Sequence, residues 1–408
     1  MSIFREIPPT AGWPIPAKTL RLPAVKFNPG LLANAFKNYS GIAFAQAVYS
    51  GTAAFYFLLE ALKQVSQKKT VVIPAFICPL IPLAIKRASL KVKTCDIQPD
   101  NFNFAAGQLR QICSEDNDIL AILAAHIAGI PLDFASIEQT ANDYGGIYII
   151  EDCAQSLGAE YQGKAAGSLG DFSFFSLCRG KSLTIYEGGI AATKQESYAP
   201  LIQETISRLE TGNFISETIK MLELYGYWIF YRPQLFWFIF SLPQIFWSAL
   251  GNPLKAQIEY FSEDFPLHRV SAWRQYIGYC NFTCLKRELN SQRAIADEYI
   301  RGLKDLAGVK IIIEPSGTLS NYPYLTLLFD DPRKKITAQK IFRNTGLGVS
   351  QIYALAITDY DYLSSTTGTQ AAPNARSFAQ RHLTLTTSSF IKQSEIQKIV
   401  SIIRELCA

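Results

Sequence analysis

Residues 149–193 read IIEDCAQSLGAEYQGKAAGSLGDFSFFSLCRGKSLTIYEGGIAAT, and their reading decides the fold. An apolar run, Ile147 to Ile150, closes on the acidic pair Glu151 and Asp152. A second run, Phe172 to Leu177, leads into Arg179, Gly180 and Lys181. A β-branched or aromatic run that stops at a carboxylate has the pattern of a buried strand carrying an acid at its carboxyl end. In open α/β sheets that end is where ligands bind. Two neighbouring strands of this kind place Asp152 and Lys181 at one edge of a sheet. Taken singly, each residue reads more readily as a surface lysine and a carboxylate capping a helix.

The pair gains meaning from its surroundings. A lysine amine facing an acid across a ligand pocket suits pyridoxal phosphate: the amine forms a Schiff base with the cofactor aldehyde, and the acid keeps the pyridine nitrogen protonated. The segments EDCAQSLGA, GSLGDFSFFS, RGKSLT and EGG stand in an order that resembles the DegT/StrS family of sugar aminotransferases. That resemblance implies an aspartate-aminotransferase-like (fold type I) α/β domain with a mostly parallel sheet, followed by a smaller α+β C-terminal domain. It also implies pyridoxal 5'-phosphate as cofactor, a keto-sugar acceptor that is usually nucleotide-linked, glutamate as the amino donor, and a homodimer.

Residue by residue, the resemblance implies catalytic roles for Lys181 and Asp152, and a cofactor phosphate held by Gly51, Thr52 and Ser176. Gln155 matches the side chain that reaches the ring hydroxyl. Ser50-Gly51-Thr52 also reads, on its own, as the cap of a helix over Ala53 to Leu62, whose first N–H groups suit an anion. His126, Arg179 and Glu187 are the candidate substrate contacts. Arg179 either binds an anionic group or pairs with Glu187. Arg269, Ser271, Arg293 and Tyr299 match further family positions. Two departures stand out. The aromatic that stacks on the cofactor ring falls at Cys78, leaving Phe76 or His126 to cover the ring. The family asparagine that reaches a neighbouring subunit's cofactor phosphate falls at Leu267, leaving His268 or Arg269 in its place.

Composition narrows the classes. The chain of 408 residues has room for two or three lobes. A net charge of +5 without long basic runs argues against a nucleic-acid partner. Eight cysteines without a CxxC pair, and three histidines, argue against a metal site. Cys280 and Cys284 read as a packed helix face. No basic segment followed by an apolar one opens the sequence, so a cytoplasmic protein with free thiols is expected, with the inner membrane face as a variant.

The organisation read from the chain is a proline-rich arm with little regular structure (1–40), a cofactor-binding α/β domain (41–220), an aromatic insert (221–252) and a small α+β domain (253–408). The arm lies across either a partner subunit or its own surface. The insert reads MLELYGYWIFYRPQLFWFIFSLPQIFWSAL over 221–250. Pro233 and Pro243 interrupt it too soon for a membrane span, and its Trp and Tyr suit a membrane interface, a subunit interface or a buried lid. Three rivals to a sugar aminotransferase remain: a sugar dehydratase, whose branch lacks the lysine present here; a pyridoxal enzyme with a lipid-linked substrate; and a non-catalytic, membrane-attached binding or sensory protein.

Overall fold

The computed structural model describes residues 5–20, 28–212, 214–251, 260–343, 345–368 and 370–408. In chain order its strands are β1 (Phe44–Val48), β2 (Thr70–Pro74), β3 (Lys91–Cys95), β4 (Ile119–Ala125), β5 (Tyr148–Asp152), β6 (Glu160–Tyr161), β7 (Lys164–Ala165), β8 (Phe172–Ser176), β9 (Gly189–Thr193), β10 (Val309–Ile312), β11 (Thr318–Leu319), β12 (Tyr324–Phe329) and β13 (His382–Thr386). Seven of them form one sheet in the order β1-β9-β8-β5-β4-β2-β3, in which only β9 runs against its neighbours. This is the mostly parallel α/β sheet expected.

The strand sequences explain the arrangement. Strands β2, β4 and β9 are buried at every position, as sheets covered on both faces require. In β8, Phe172 and Phe174 join one apolar cluster while Phe175 joins the other, so period-two alternation fills both faces. The first cluster includes Phe55, Leu58 and Leu62 of helix Gly51–Val65, and the second includes Leu32 and Phe36 of helix Leu31–Ser40. A second lobe pairs β10, β12 and β13 antiparallel, and its core joins Tyr299, Leu325, Leu383 and Ile399 beneath helices Leu285–Leu303 and Gln393–Cys407.

Two sequence expectations change. The arm is not without regular structure, because Leu32, Ala33 and Phe36 bury one face of helix Leu31–Ser40. Its start is also pinned to its own chain: Ile7 and Trp13 are buried, and the Ala11 and Trp13 N–H groups donate to the Pro323 and Ser182 carbonyls at 2.8 Å each. The boundary expected between 220 and 221 falls inside one continuous helix, Phe214–Phe230. Pro243 interrupts the insert as expected: the short helix Phe236–Ile239 ends at the residue four before it, and Pro243 itself sits in the first turn of the next helix, Ser241–Ala249, where a missing N–H costs nothing. No helix among the described residues is long and apolar enough to cross a membrane.

Helix Phe214–Phe230 is clamped over the sheet edge by charge. The fully buried Arg274 side chain donates to both carboxylate oxygens of Glu217, at 2.6 and 2.5 Å, and to the Glu187 carbonyl. Burial raises the Glu217 carboxyl pKa, but the Arg274 bonds outweigh it and hold the group below its ordinary value. Arg274→Ala strands that carboxylate beneath the helix. We expect a loss of about 3–5 kcal/mol in unfolding free energy, read as a lower denaturant midpoint at unchanged slope.

Candidate active site

Strands β5 and β8 are adjacent and parallel, with Asp152 opposite Phe174. Asp152 ends β5, and Lys181 follows five residues after Ser176 ends β8. The two side chains line one cavity of about 160 Å³ together with Gly51, Thr52, His126 and Ser176. Seven of the nine residues singled out for the site thus meet at one place, Gln155 being the seventh.

The cavity floor is a helix start. The Ser50 hydroxyl accepts from the Ala53 N–H at 3.0 Å, capping helix Gly51–Val65. The N–H groups of Gly51 and Thr52, in the first turn, have no helical carbonyl to meet, and they stand beside Ser176 at an N-terminus that favours anions. Close approach requires glycine here: a Cβ on Gly51 would lie 2.9 Å from the Ser176 Cβ, and one on Gly189 would strike the Ser50 carbonyl. A phosphate group fits this cradle.

Strand alternation turns Glu151 away from the cavity and Asp152 into it. Glu151 is fully buried, yet its carboxylate is complete: Leu169 and Gly170 N–H groups donate to Oε1 and Gly167 N–H to Oε2, each at 2.8 Å. His126 completes the set. Its Nδ1 accepts from the Leu132 N–H at 3.2 Å, so the ring proton sits on Nε2 and is donated to Glu151 Oε2 at 3.0 Å. His126 is therefore a fixed wall of the cavity, not a mobile acid. Cys153 stands close enough to His126 and Glu151 to resemble a metal ligand set. Burial pushes its thiol well above the ordinary range, and the Glu151 oxygens are already taken, so the cluster reads as a structural lock.

Burial also pushes the Asp152 carboxyl up, opposed by the Ala154 N–H at 2.9 Å and by the charge of Lys181. A cation facing Asp152 in the cavity relieves that cost, as a protonated ring nitrogen would. Gln155 is held from three sides: its Oε1 accepts from the Ala128 N–H at 3.0 Å and from the Tyr324 hydroxyl, and its Nε2 donates to the Tyr353 hydroxyl at 3.0 Å. Nε2 carries a second N–H for a cavity ligand.

Cys78 sits where the cofactor cavity joins a larger one of about 710 Å³. The two share Cys78, Ala154, Gln155, Lys181 and Tyr353. Phe76 covers nothing here, being fully buried against Phe102, Tyr353, Phe378 and His382. Arg179 lines the larger cavity, its guanidinium 5.1 Å from the Tyr186 ring centre. It does not pair with Glu187, whose carboxylate is held by Tyr49 at 2.8 Å and Lys220 at 2.7 Å and lines neither cavity. His268 bonds Thr211 at 2.9 Å and Arg269 pairs with Glu210 at 3.3 Å, both within this chain. Leu267 packs against the main core, and Arg293 ties the Ser320 and Gly158 carbonyls.

Sequence reading missed Tyr324 and Tyr353 from the second lobe, Thr10 from the arm, and the lining role of residues 226–240. One local signal existed: Tyr186 and Tyr353 adopt positive φ, 75° and 39°, a strained geometry that concentrates at binding sites.

The sequence pattern of the DegT/DnrJ/EryC1/StrS aminotransferase family matches residues 30–210 and 268–404, most of the chain. The chain belongs to that family. Among its relatives are an uncharacterized protein of Methanocaldococcus jannaschii, 32% identical over 191 residues, and the GDP-perosamine synthase of Escherichia coli O157:H7, 29% identical over 164. These matches cover 47% and 40% of this chain and 44% of each relative, so the chain spans under half the length of the curated proteins it matches. The fold is shared with a putative sugar aminotransferase of Streptococcus pneumoniae in its PLP-form, at a TM-score of 0.76, 18% identity and 98% coverage of both chains. It is the fold type I, aspartate-aminotransferase-like architecture expected. Residues 211–267, which hold the aromatic insert, lie between the two matched stretches.

The raised Asp152 pKa makes a pH prediction for the cofactor-free protein. A carboxyl raised in the folded state adds stability below its unfolded value, about pH 4, and loses it as pH climbs through the raised value. Wild type is expected to lose stability against Asp152→Asn over that window, and added pyridoxal phosphate to reverse the trend. Parallel pH curves for the two proteins in thermal unfolding would show that Asp152 carries no such cost.

Proposed function

We propose that this protein is a pyridoxal-phosphate-dependent aminotransferase that takes an amino group from glutamate and gives it to a keto-sugar, working as a homodimer in glycan or surface polysaccharide synthesis. The observation that carries the reading is the meeting of Lys181, Asp152 and the open helix start at Gly51 in one cavity. The family membership and the sugar-acting names of the relatives support the acceptor class.

Pyridoxal phosphate, when bound, supplies an aldehyde that accepts an amine and a ring that draws electrons away from the carbon being deprotonated. The chain does the rest. Gly51 and Thr52 N–H groups and the Ser176 hydroxyl hold the phosphate. Asp152, ionised by the cation it faces, keeps the ring nitrogen charged. Gln155 orients the ring hydroxyl. The Lys181 amine would hold the cofactor and, as a free amine, would carry the proton to and from the reacting carbon. Arg179 receives an anionic group of the substrate.

Lys181→Ala is expected to lose the visible absorbance of the lysine-bound cofactor and all turnover. Asp152→Asn should keep bound cofactor but lose turnover by about 10²–10⁴-fold, the span of a displaced proton-transfer catalyst. A colourless wild type, unchanged by added pyridoxal phosphate and glutamate, would leave the binding or sensory reading in its place.

A lipid surface is the proposed partner of the insert's outer side. Phe238, Leu242, Ile245, Phe246 and Leu250 are between 41% and 60% exposed on two consecutive helices. Trp237 and Trp247 flank them, as interfacial segments favour. The triple change Phe238→Glu, Leu242→Glu, Phe246→Glu should abolish co-sedimentation with phosphatidylglycerol vesicles. If it instead splits a dimer in solution, the face is a subunit interface.

A further inference from the structure

The larger cavity is built in two halves. One half is polar and meets the cofactor cavity at Gln155, Lys181 and Tyr353. The other is roofed by the aromatic insert, with Phe230, Phe236, Ile239, Phe240 and the nearby Phe261 in its wall. Among the described residues, its charged lining residues are Arg179, Lys181 and Glu223. With Lys181 engaged by the cofactor, Arg179 is the one cation left among the described lining residues, and Glu223, paired with Lys220 at 2.8 Å, sets a carboxylate in the same wall. A nucleoside diphosphate would bring two or more negative charges into a space whose described lining offers them one guanidinium, the remaining polar groups being neutral hydroxyls and amides such as Thr10, Ser182, Tyr186 and Gln351. Polar groups buried without partners weaken binding steeply.

The wall continues outward. Ile239 lines the cavity and is 41% exposed, and the neighbouring Phe238 and Leu242 extend the same apolar surface on the outside. The cavity therefore has a charged inner end, a single cationic wall and an apolar outer end that runs on to the exposed face of the insert. That is the profile of a molecule with a polar head, one anionic link and a hydrocarbon chain. The apolar outer end comes from residues 211–267, outside the stretches shared with the family pattern, whereas Arg179 and Lys181 lie within them.

We infer that the acceptor carries a long hydrocarbon chain, joined to its keto-sugar through an anionic group that meets Arg179, and that the insert is the subsite for this chain. This rests on the aminotransferase reading for the inner end of the cavity and replaces a nucleotide carrier with an apolar one. Burying a methylene tightens binding by roughly fourfold in the limit of full burial, so chain length is the quantity to vary.

The test uses the protein loaded with pyridoxal phosphate, which fills the inner phosphate cradle, and calorimetric titration below the micellar range. Decyl phosphate is expected to bind at least a hundredfold more tightly than butyl phosphate, and more tightly than GDP or UDP. Geranyl phosphate, of equal carbon number, distinguishes a prenyl-type from an acyl-type chain. Gly226 supplies the blocking variant: it lines the cavity, a Cβ there meets nothing within 4 Å, and it lies within helix Phe214–Phe230, where leucine is the better helix former. Gly226→Leu should cost decyl phosphate at least tenfold in affinity and butyl phosphate less than twofold, with the helical circular dichroism retained. Equal affinities for butyl and decyl phosphate, tighter binding of GDP or UDP, or decyl binding untouched by Gly226→Leu would each overturn the inference. Bleaching of the visible band by glutamate is read separately. If the band bleaches but chain length has no effect, the subsite fails and the aminotransferase stands; if no band forms while chain length matters, the reverse holds.

Discussion

A single buried carboxylate holds the site together. Glu151 has no exposure to solvent and collects four hydrogen bonds from two parts of the chain: the loop at Gly167, Leu169 and Gly170, and His126 at the end of β4. An ionised group in that position is tolerable only because every lone-pair direction is met. The same bonds fix the approach of the chain into β8 and the ring plane of His126. Because side chains alternate along a strand, locking Glu151 inward obliges Asp152 to face the cavity. The residue proposed to face the cofactor is thus placed by its neighbour, and the lysine is placed by the strand that neighbour anchors.

This explains how much was legible beforehand. The apolar runs around Ile150 and Phe174 marked both strands and their shared edge, since buried parallel strands leave a local imprint. The cap at Ser50 marked the helix start for the same reason. The acid pair Glu151 and Asp152 was visible, but not the division of labour between them, because the partners of Glu151 lie 16 or more residues away along the chain. Tyr324 and Tyr353 were equally invisible: they reach Gln155 across 169 and 198 residues, through the packing of one lobe on the other. Pro243 was legible for a local reason, as a proline in a first turn also ends the helix before it.

The insert shows how an apolar stretch serves two faces. Leu224, Tyr227, Tyr231 and Phe236 pack inward with Trp273 and Ile277, while Leu222, Ile229 and Phe238 point out. Interruption at Pro233 lets the chain turn, so that helices too short to span a bilayer form a roof instead. Arg274 sets the roof's height, since its guanidinium bonds Glu217 on the roofing helix and the Glu187 carbonyl beside the lysine loop. The Gly180 N–H, which donates to the Tyr227 hydroxyl at 3.5 Å, adds a second tie next to Lys181. Roof and lysine loop therefore move as one body.

That coupling bears on the chemistry. The proton that Lys181 is proposed to carry travels between carbons, and water in the cavity would compete for it. A roof of aromatic rings excludes water and strengthens each remaining electrostatic contact by lowering the local dielectric. The cost falls on any charge without a partner, which is why Asp152 carries a raised pKa until a cation faces it. Charge is accordingly confined to the inner end, where backbone N–H groups and Lys181 await it, and the outer end can be apolar without penalty. A chain-bearing acceptor would complete the enclosure itself, its hydrocarbon closing the mouth as its sugar reaches the lysine, so that binding of the tail and exclusion of water from the head become the same event.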